Sequence, residues 1–124
     1  MLQLSTGKDG LFMKILKEGK NSLIISLSGE IDQYAAAELK ECIDIEIQST
    51  SRKNIIIDLG MVDMMDSSGI GLIVGRYKLT ISTGKKFAIC NASSSVKRMI
   101  ELSGITKVIS YYNTLTEAEK KMSF

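Results

Sequence analysis

The sequence predicts an α/β domain: a mostly parallel sheet of about five strands with helices packed on it, and a first strand that joins the edge antiparallel. Three observations carry that prediction. Short apolar runs of strand length alternate with longer stretches whose apolar residues recur every three to four positions, in the order β-β-α-β-α-β-α-β-α. Such alternation implies parallel strands joined by right-handed crossovers. "IIIDL", Ile55 to Leu59, is continuously apolar, as a central strand covered on both faces is. A chain of 124 residues, 44% hydrophobic and 24% charged, also suits one domain around one core.

Residues 1–10 carry Gly7 and Gly10 without periodicity and read as a flexible N-terminal arm, leaving 11–124 as the domain. Leu11 to Lys17 is strand-like, "EGKN" is a turn cluster, and Leu23, Ile25 and Leu27 alternate with their neighbours up to Ser28. Gly29 is expected to break that strand. Ala36, Leu39, Ile43 and Ile47 then form one helical stripe that Asp32 is placed to cap, and "QSTSRKN" ends it. After "IIIDL" comes an expected loop from Gly60 to Asp66. A second stripe runs through Ile70, Ile73, Val74, Tyr77 and Ile81 to a stop at Gly84. "KKFAIC" reads as a strand; Val96, Met99, Ile100 and Ser103 read as a helix closed by Gly104. Val108 to Tyr112 is the last expected strand, and Thr116 the expected cap of a final short helix.

A net charge of +2 with interspersed signs gives no field that argues for nucleic acid or an anionic membrane as partner. No apolar run approaches the roughly 20 residues of a membrane span, and "MLQLSTGKDG" lacks the pattern of a signal peptide. Cys42 and Cys90 have no metal-type spacing and suit a reducing compartment, so a cytoplasmic location is expected.

The chemistry that the residues suggest is sparse. A nucleophilic serine needs a base, and the chain has no histidine. Ser94 to Lys97 matches S-x-x-K, but "SDN" and "KTG" are missing, and a helix cap supplied by Ser93 to Ser95 is the preferred reading. Gly7-Lys8 and Gly84-Lys85 lack the rest of a phosphate loop. Asp63 and Asp66 alone do not make a metal site. No catalytic residues, no metal and no cofactor are expected.

One stretch stands out: "MDSSGIGLIVGRYK", Met65 to Lys78, at the mouth of a helix. Ser67 or Ser68 as cap would leave the N–H groups of Gly69 to Gly71 pointing outward beside a positive dipole end. A phosphate attached there would meet donors and be opposed by Asp66. Cap and modification site both fit; the cap preference of serine favours the first.

These residues resemble the signature of the STAS domain family, in particular the bacterial anti-sigma factor antagonists of the sporulation type. "LSGEID", "IIIDLG" and "SSSVKRMIELSGITKVI" agree with it in order and spacing, over roughly residues 11 to 124. The resemblance implies a STAS-type fold and a partner switch. The unmodified protein would bind an anti-sigma factor serine kinase and free the sigma factor. The kinase, which brings Mg-ATP, would phosphorylate the serine after the aspartate, here Ser67, and a serine phosphatase would reverse the step. The resemblance puts Gly29, Glu30, Asp32, Asp66, Ser68, Gly69 and Ile70 on the partner-binding surface, with Ser68 capping the helix and Gly69 clearing space for the kinase. Met64 departs from the aromatic or β-branched residue often found there; it is either an adaptable contact or, with Met65, core beneath the loop. A monomer is expected when free. Alternatives are a ligand- or nucleotide-binding STAS module and a purely structural interaction domain.

Overall fold

The computed structural model describes the backbone of residues 2–5 and 12–16 and the full structure of residues 21–123. Among these, six strands form one sheet in chain order: β1 (Leu2–Ser5), β2 (Phe12–Leu16), β3 (Ser22–Ile31), β4 (Asn54–Met65), β5 (Lys86–Cys90) and β6 (Ser110–Tyr112). β1–β2 and β2–β3 pair antiparallel, and β3 to β6 are parallel. The helices are α1 (Gln33–Ser49), α2 (Ser67–Ser82), α3 (Ser94–Ser103) and α4 (Leu115–Met122), with a 3-10 turn at Ile105–Lys107.

Alternate residues of a strand face opposite sides of a sheet, and the two sides are covered unequally. Leu23, Ile25 and Leu27 of β3, with Ile55, Ile57 and Leu59 of β4, bury against Leu39, Ile43 and Ile47 of α1, Leu72 and Ile73 of α2, and Val96 and Ile100 of α3. The intervening Ile24, Ile56 and Ala88 meet Ala118 and Met122 of α4 on the other side. The Asn54 side-chain amide donates to the Met122 carbonyl and ties α4 to the start of β4. That two-sided burial is why β4 begins as an unbroken apolar run.

Outside the candidate site the structure departs from the sequence reading in five places. The expected N-terminal arm contains a strand, β1, so β2 is antiparallel but not at the edge; residues 1 and 6–10 of the arm, Leu11, Lys17 and 18–20 of the expected turn lie outside the described residues. Gly29 does not end β3: at φ +92° it lets the strand bend and continue to Ile31. The expected loop from Gly60 to Asp66 is mostly strand, because β4 stays paired with β3 up to Met65 through register shifts. α2 buries Gly69, Leu72, Ile73, Arg76 and Thr80 and exposes Ile81. An arginine is admitted to that face because its Nε lies 2.6 Å from Asp44 Oδ1 on α1, a close ion pair off the N–H axis, while Thr80 Oγ1 donates to the Arg76 carbonyl at 2.8 Å. Finally, Thr114 caps α4 in place of Thr116, accepting the Glu117 N–H at 3.0 Å. Glycines at φ +81° and +82°, Gly84 and Gly104, follow α2 and α3 as expected.

Candidate functional site

β3 and β4 end side by side, and the Asp66 N–H donates to the Ile31 carbonyl at 3.4 Å across the gap. Both strands therefore deliver their helices to one place, and the mouths of α1 and α2 share a shallow cleft. Glu30, Ile31, Asp32, Met64, Met65 and Asp66 line one end of it; Asp32, Gln33, Tyr34, Ala37 and Asp66 line the other.

Each mouth is capped by an aspartate. Asp32 Oδ1 accepts the Ala35 N–H at 2.9 Å, as its position before the stripe of α1 predicts. Asp66 Oδ1 accepts the Ser68 N–H at 2.8 Å, which corrects the expectation that Ser68 caps α2. An aspartate caps as well as a serine and adds a negative charge at the positive end of the helix dipole, so with Asp66 two places upstream of Ser68 the helix starts earlier. The sequence leaves the choice open, since Asp66, Ser67 and Ser68 are three adjacent cap formers. The same cap removes the expected outward donors, because the N–H groups of Gly69 and Ile70 bind the Asp66 carbonyl at 3.0 and 3.3 Å.

With Asp66 as cap, Ser67 is the first residue of α2 and exposed, while Ser68 is half-buried. Gly69 is buried, and a Cβ on it would lie 2.8 Å from Met65 Cβ. Its bareness lets α2 sit close on the end of β4; it faces Met65 and not the space above Ser67. Glu30, Asp32 and Asp66 are exposed; Gly29 is half-buried, and Ile70 is half-buried against the core. The two methionines divide the roles left open for them: Met65 is 8% exposed and is core, and Met64 is 56% exposed beside the cleft. Tyr34, 53% exposed, joins the cleft without having been singled out in the sequence, since nothing in its spacing separates it from a solvated helix residue.

The other serine cluster is built differently. Ser93 caps α3, its hydroxyl accepting the Val96 N–H at 3.5 Å. Lys97, the basic residue of the S-x-x-K pattern, donates to Asn113 Oδ1 at 2.9 Å and lies 5.3 Å from the centre of the Tyr111 ring. Burial raises the thiol pKa of Cys42 and pushes that of Cys90 up to about 12, with Asp58 a second cause at Cys90, so neither is an activated nucleophile. Among the described residues no group of acidic, histidine or cysteine side chains is placed to hold a metal, and no helix is long and apolar enough to cross a membrane.

The family model of the STAS domain matches residues 14–118. This chain belongs to the STAS domain family. Among its relatives, the anti-sigma F factor antagonist of Paenibacillus polymyxa is 35% identical over 108 residues, covering 84% of this chain and 92% of that one. The anti-sigma-B factor antagonist of Staphylococcus aureus (strain NCTC 8325) is 34% identical over 95 residues, covering 77% and 86%. The same STAS fold is seen in the anti-sigma factor antagonist SpoIIAA in its unphosphorylated form, with a TM-score of 0.73, 24% identity and coverage of 90% and 97%.

Proposed function

We propose that this STAS domain is an anti-sigma factor antagonist. Unphosphorylated, it binds an anti-sigma factor serine kinase and releases the sigma factor; phosphorylation of Ser67 switches it off, and a serine phosphatase restores it. The observation that carries this reading is the exposed Ser67, which caps nothing and directly follows Asp66 of the cleft that Asp32 also lines. The 35% identity to a protein named an anti-sigma F factor antagonist supports the partner class.

The chemistry needs little from this chain. The kinase supplies ATP, Mg²⁺ and the base that takes the hydroxyl proton; the γ-phosphoryl group passes to Ser67 Oγ and ADP leaves. This chain supplies a hydroxyl fixed in place by the first turn of α2 and an acidic surround. A phosphoserine brings about −1.5 to −2 charges and lands beside the Asp66 carboxylate. The isolated domain tolerates this in water, whereas an interface packed closely on the small Ser67 hydroxyl has neither room for the phosphate nor water to solvate its charge. Gly29, Ser68, Gly69 and Ile70 complete the partner-binding surface in this reading, Gly69 by letting α2 close on Met65.

The ligand- or nucleotide-binding alternative has less to support it. Strand order runs β1 to β6 without reversing, so the topology lacks the switch point at which open α/β sheets hold nucleotides. The deciding experiment is incubation with an anti-sigma factor kinase and Mg-ATP, followed by mass spectrometry. One phosphate on Ser67 is expected; phosphate on Ser68, or labelling that persists in Ser67→Ala, sinks the assignment.

A further inference from the structure

The outer half of β4 does not follow a regular ladder. Between the pairs Ser26–Asp58 and Ser28–Met61, β4 carries one residue more than β3, and it takes another between Gly29–Val62 and Glu30–Met64. An extra residue on one strand bends it and re-aims the side chains beyond. Met65, Asp66 and Ser67 inherit their direction from these two places.

The first of them is held by side chains. Asp58 Oδ1 accepts both the Gly60 N–H at 2.9 Å and the Asn91 amide at 3.1 Å, and the Ser26 hydroxyl lies 3.4 Å from Oδ2. Asn91 stands at φ +67°, the one non-glycine residue with positive φ among those described, and its N–H is bound to the Tyr112 carbonyl at 3.1 Å. Asparagine tolerates this conformation better than most residues, but an exposed position gives no packing reason to adopt it. A Cβ on Gly60 would run into the Asn91 amide, so the bare backbone of Gly60 is part of the same arrangement.

We propose that Asp58, Gly60 and Asn91 form a positioning clasp that sets how β4 presents Ser67, so that Asn91 governs phosphorylation through the strand. This rests on the antagonist reading above. Asn91 is a positioning residue here, and removing its exposed side chain opens no cavity.

The test compares Asn91→Gly, Asp58→Ala and Asp58→Asn in steady-state phosphorylation by an anti-sigma factor kinase that labels the wild type. Asn91→Gly keeps the backbone conformation and loses only the amide. Its kcat/KM, and that of Asp58→Ala, should fall about tenfold or more, chiefly through kcat, as displacement of a reacting group does. Asp58→Asn keeps an oxygen in the place of Oδ1 and should stay within about twofold of wild type. A folded Asn91→Gly phosphorylated at the wild-type rate overturns the clasp. A second measurement needs no kinase: amide exchange at Met64, Ser67 and Ser68 should quicken in Asn91→Gly, and unchanged exchange also overturns the proposal. Failure of the parent reading looks different, because the wild-type chain itself then takes no phosphate on Ser67.

Discussion

Two helices of this domain open with consecutive serines, but a different residue type caps each. At α3 the first serine, Ser93, is consumed as the cap, and the nearby Lys97 is held by Asn113 and the Tyr111 ring. At α2 an aspartate caps, so that Ser67 follows as an exposed residue of the first turn with no structural duty. The surroundings differ too: acidic residues line the α2 mouth, whereas Lys97 and Arg98 stand near the α3 mouth. Ser67, Ser94 and Ser95 are alike in being exposed and capping nothing; what sets Ser67 apart is the acidic cap beside it, in the cleft that Asp66 shares with Asp32.

That contrast can be broken most decisively by Ser67→Ala, which should abolish phosphate incorporation while Ser94→Ala leaves it intact. Mass spectrometry of both variants after kinase treatment reads this directly, and labelling at the α3 mouth would erase the distinction. Next in size is Asp32→Ala, the other cap of the shared cleft. It should weaken binding to the kinase by about 1–3 kcal/mol, as loss of an interfacial charge contact does, and calorimetry on the folded variant measures it.

The caps themselves should show a smaller effect, read as stability. Asp66→Ala and Ser93→Ala should each cost about 0.5–2 kcal/mol in chemical denaturation, whereas Ser68→Ala and Ser94→Ala should stay within about 0.5 kcal/mol of wild type. A large loss in Ser68→Ala would return the α2 cap to that serine. The smallest effect is absent at neutral pH and belongs to the strand that leads into α3. Cys90 holds its proton up to about pH 12 in the folded chain, against the ordinary thiol value of 9.0. Above pH 9 the unfolded chain binds fewer protons there than the folded one, so stability falls as pH rises through the window from 9.0 to about 12. Urea titrations across that window should show a shallower fall in Cys90→Ala.

Periodicity made most of the fold legible. Leu39, Ile43 and Ile47 are buried as their spacing demands, and "IIIDL" is the doubly covered strand it resembles. α2 was misread by one position because Arg76 and Thr80 are buried through an ion pair and a backbone bond, and hydrophobic spacing is blind to both. The extension of β4 to Met65 was hidden for a related reason: "GMVDMM" obeys no period of two once register shifts intervene. At the site, Asp32 was legible from its place before a clear stripe. The cap of α2 was not, because "DSS" offers three adjacent cap formers and only the backbone conformation chooses among them. Asn91, just past the end of β5, left no trace at all, since its partner Asp58 lies 33 residues earlier on β4.

The two register shifts of β4 act like a pair of compensating frameshifts. Leu59, Val62 and Met65 face the main core, so each shift alone inverts which residues point inward, and together they restore the original parity by Met65. Dropping one of the two extra residues, with Met65 still paired to Ile31, would heal one shift and leave Met65 facing the core; dropping both would make this half of β4 a regular ladder. Each extra residue is therefore a unit of slack, and length here can change one residue at a time without turning the end of the strand over, as long as the pairing of Ile31 with Met65 is kept.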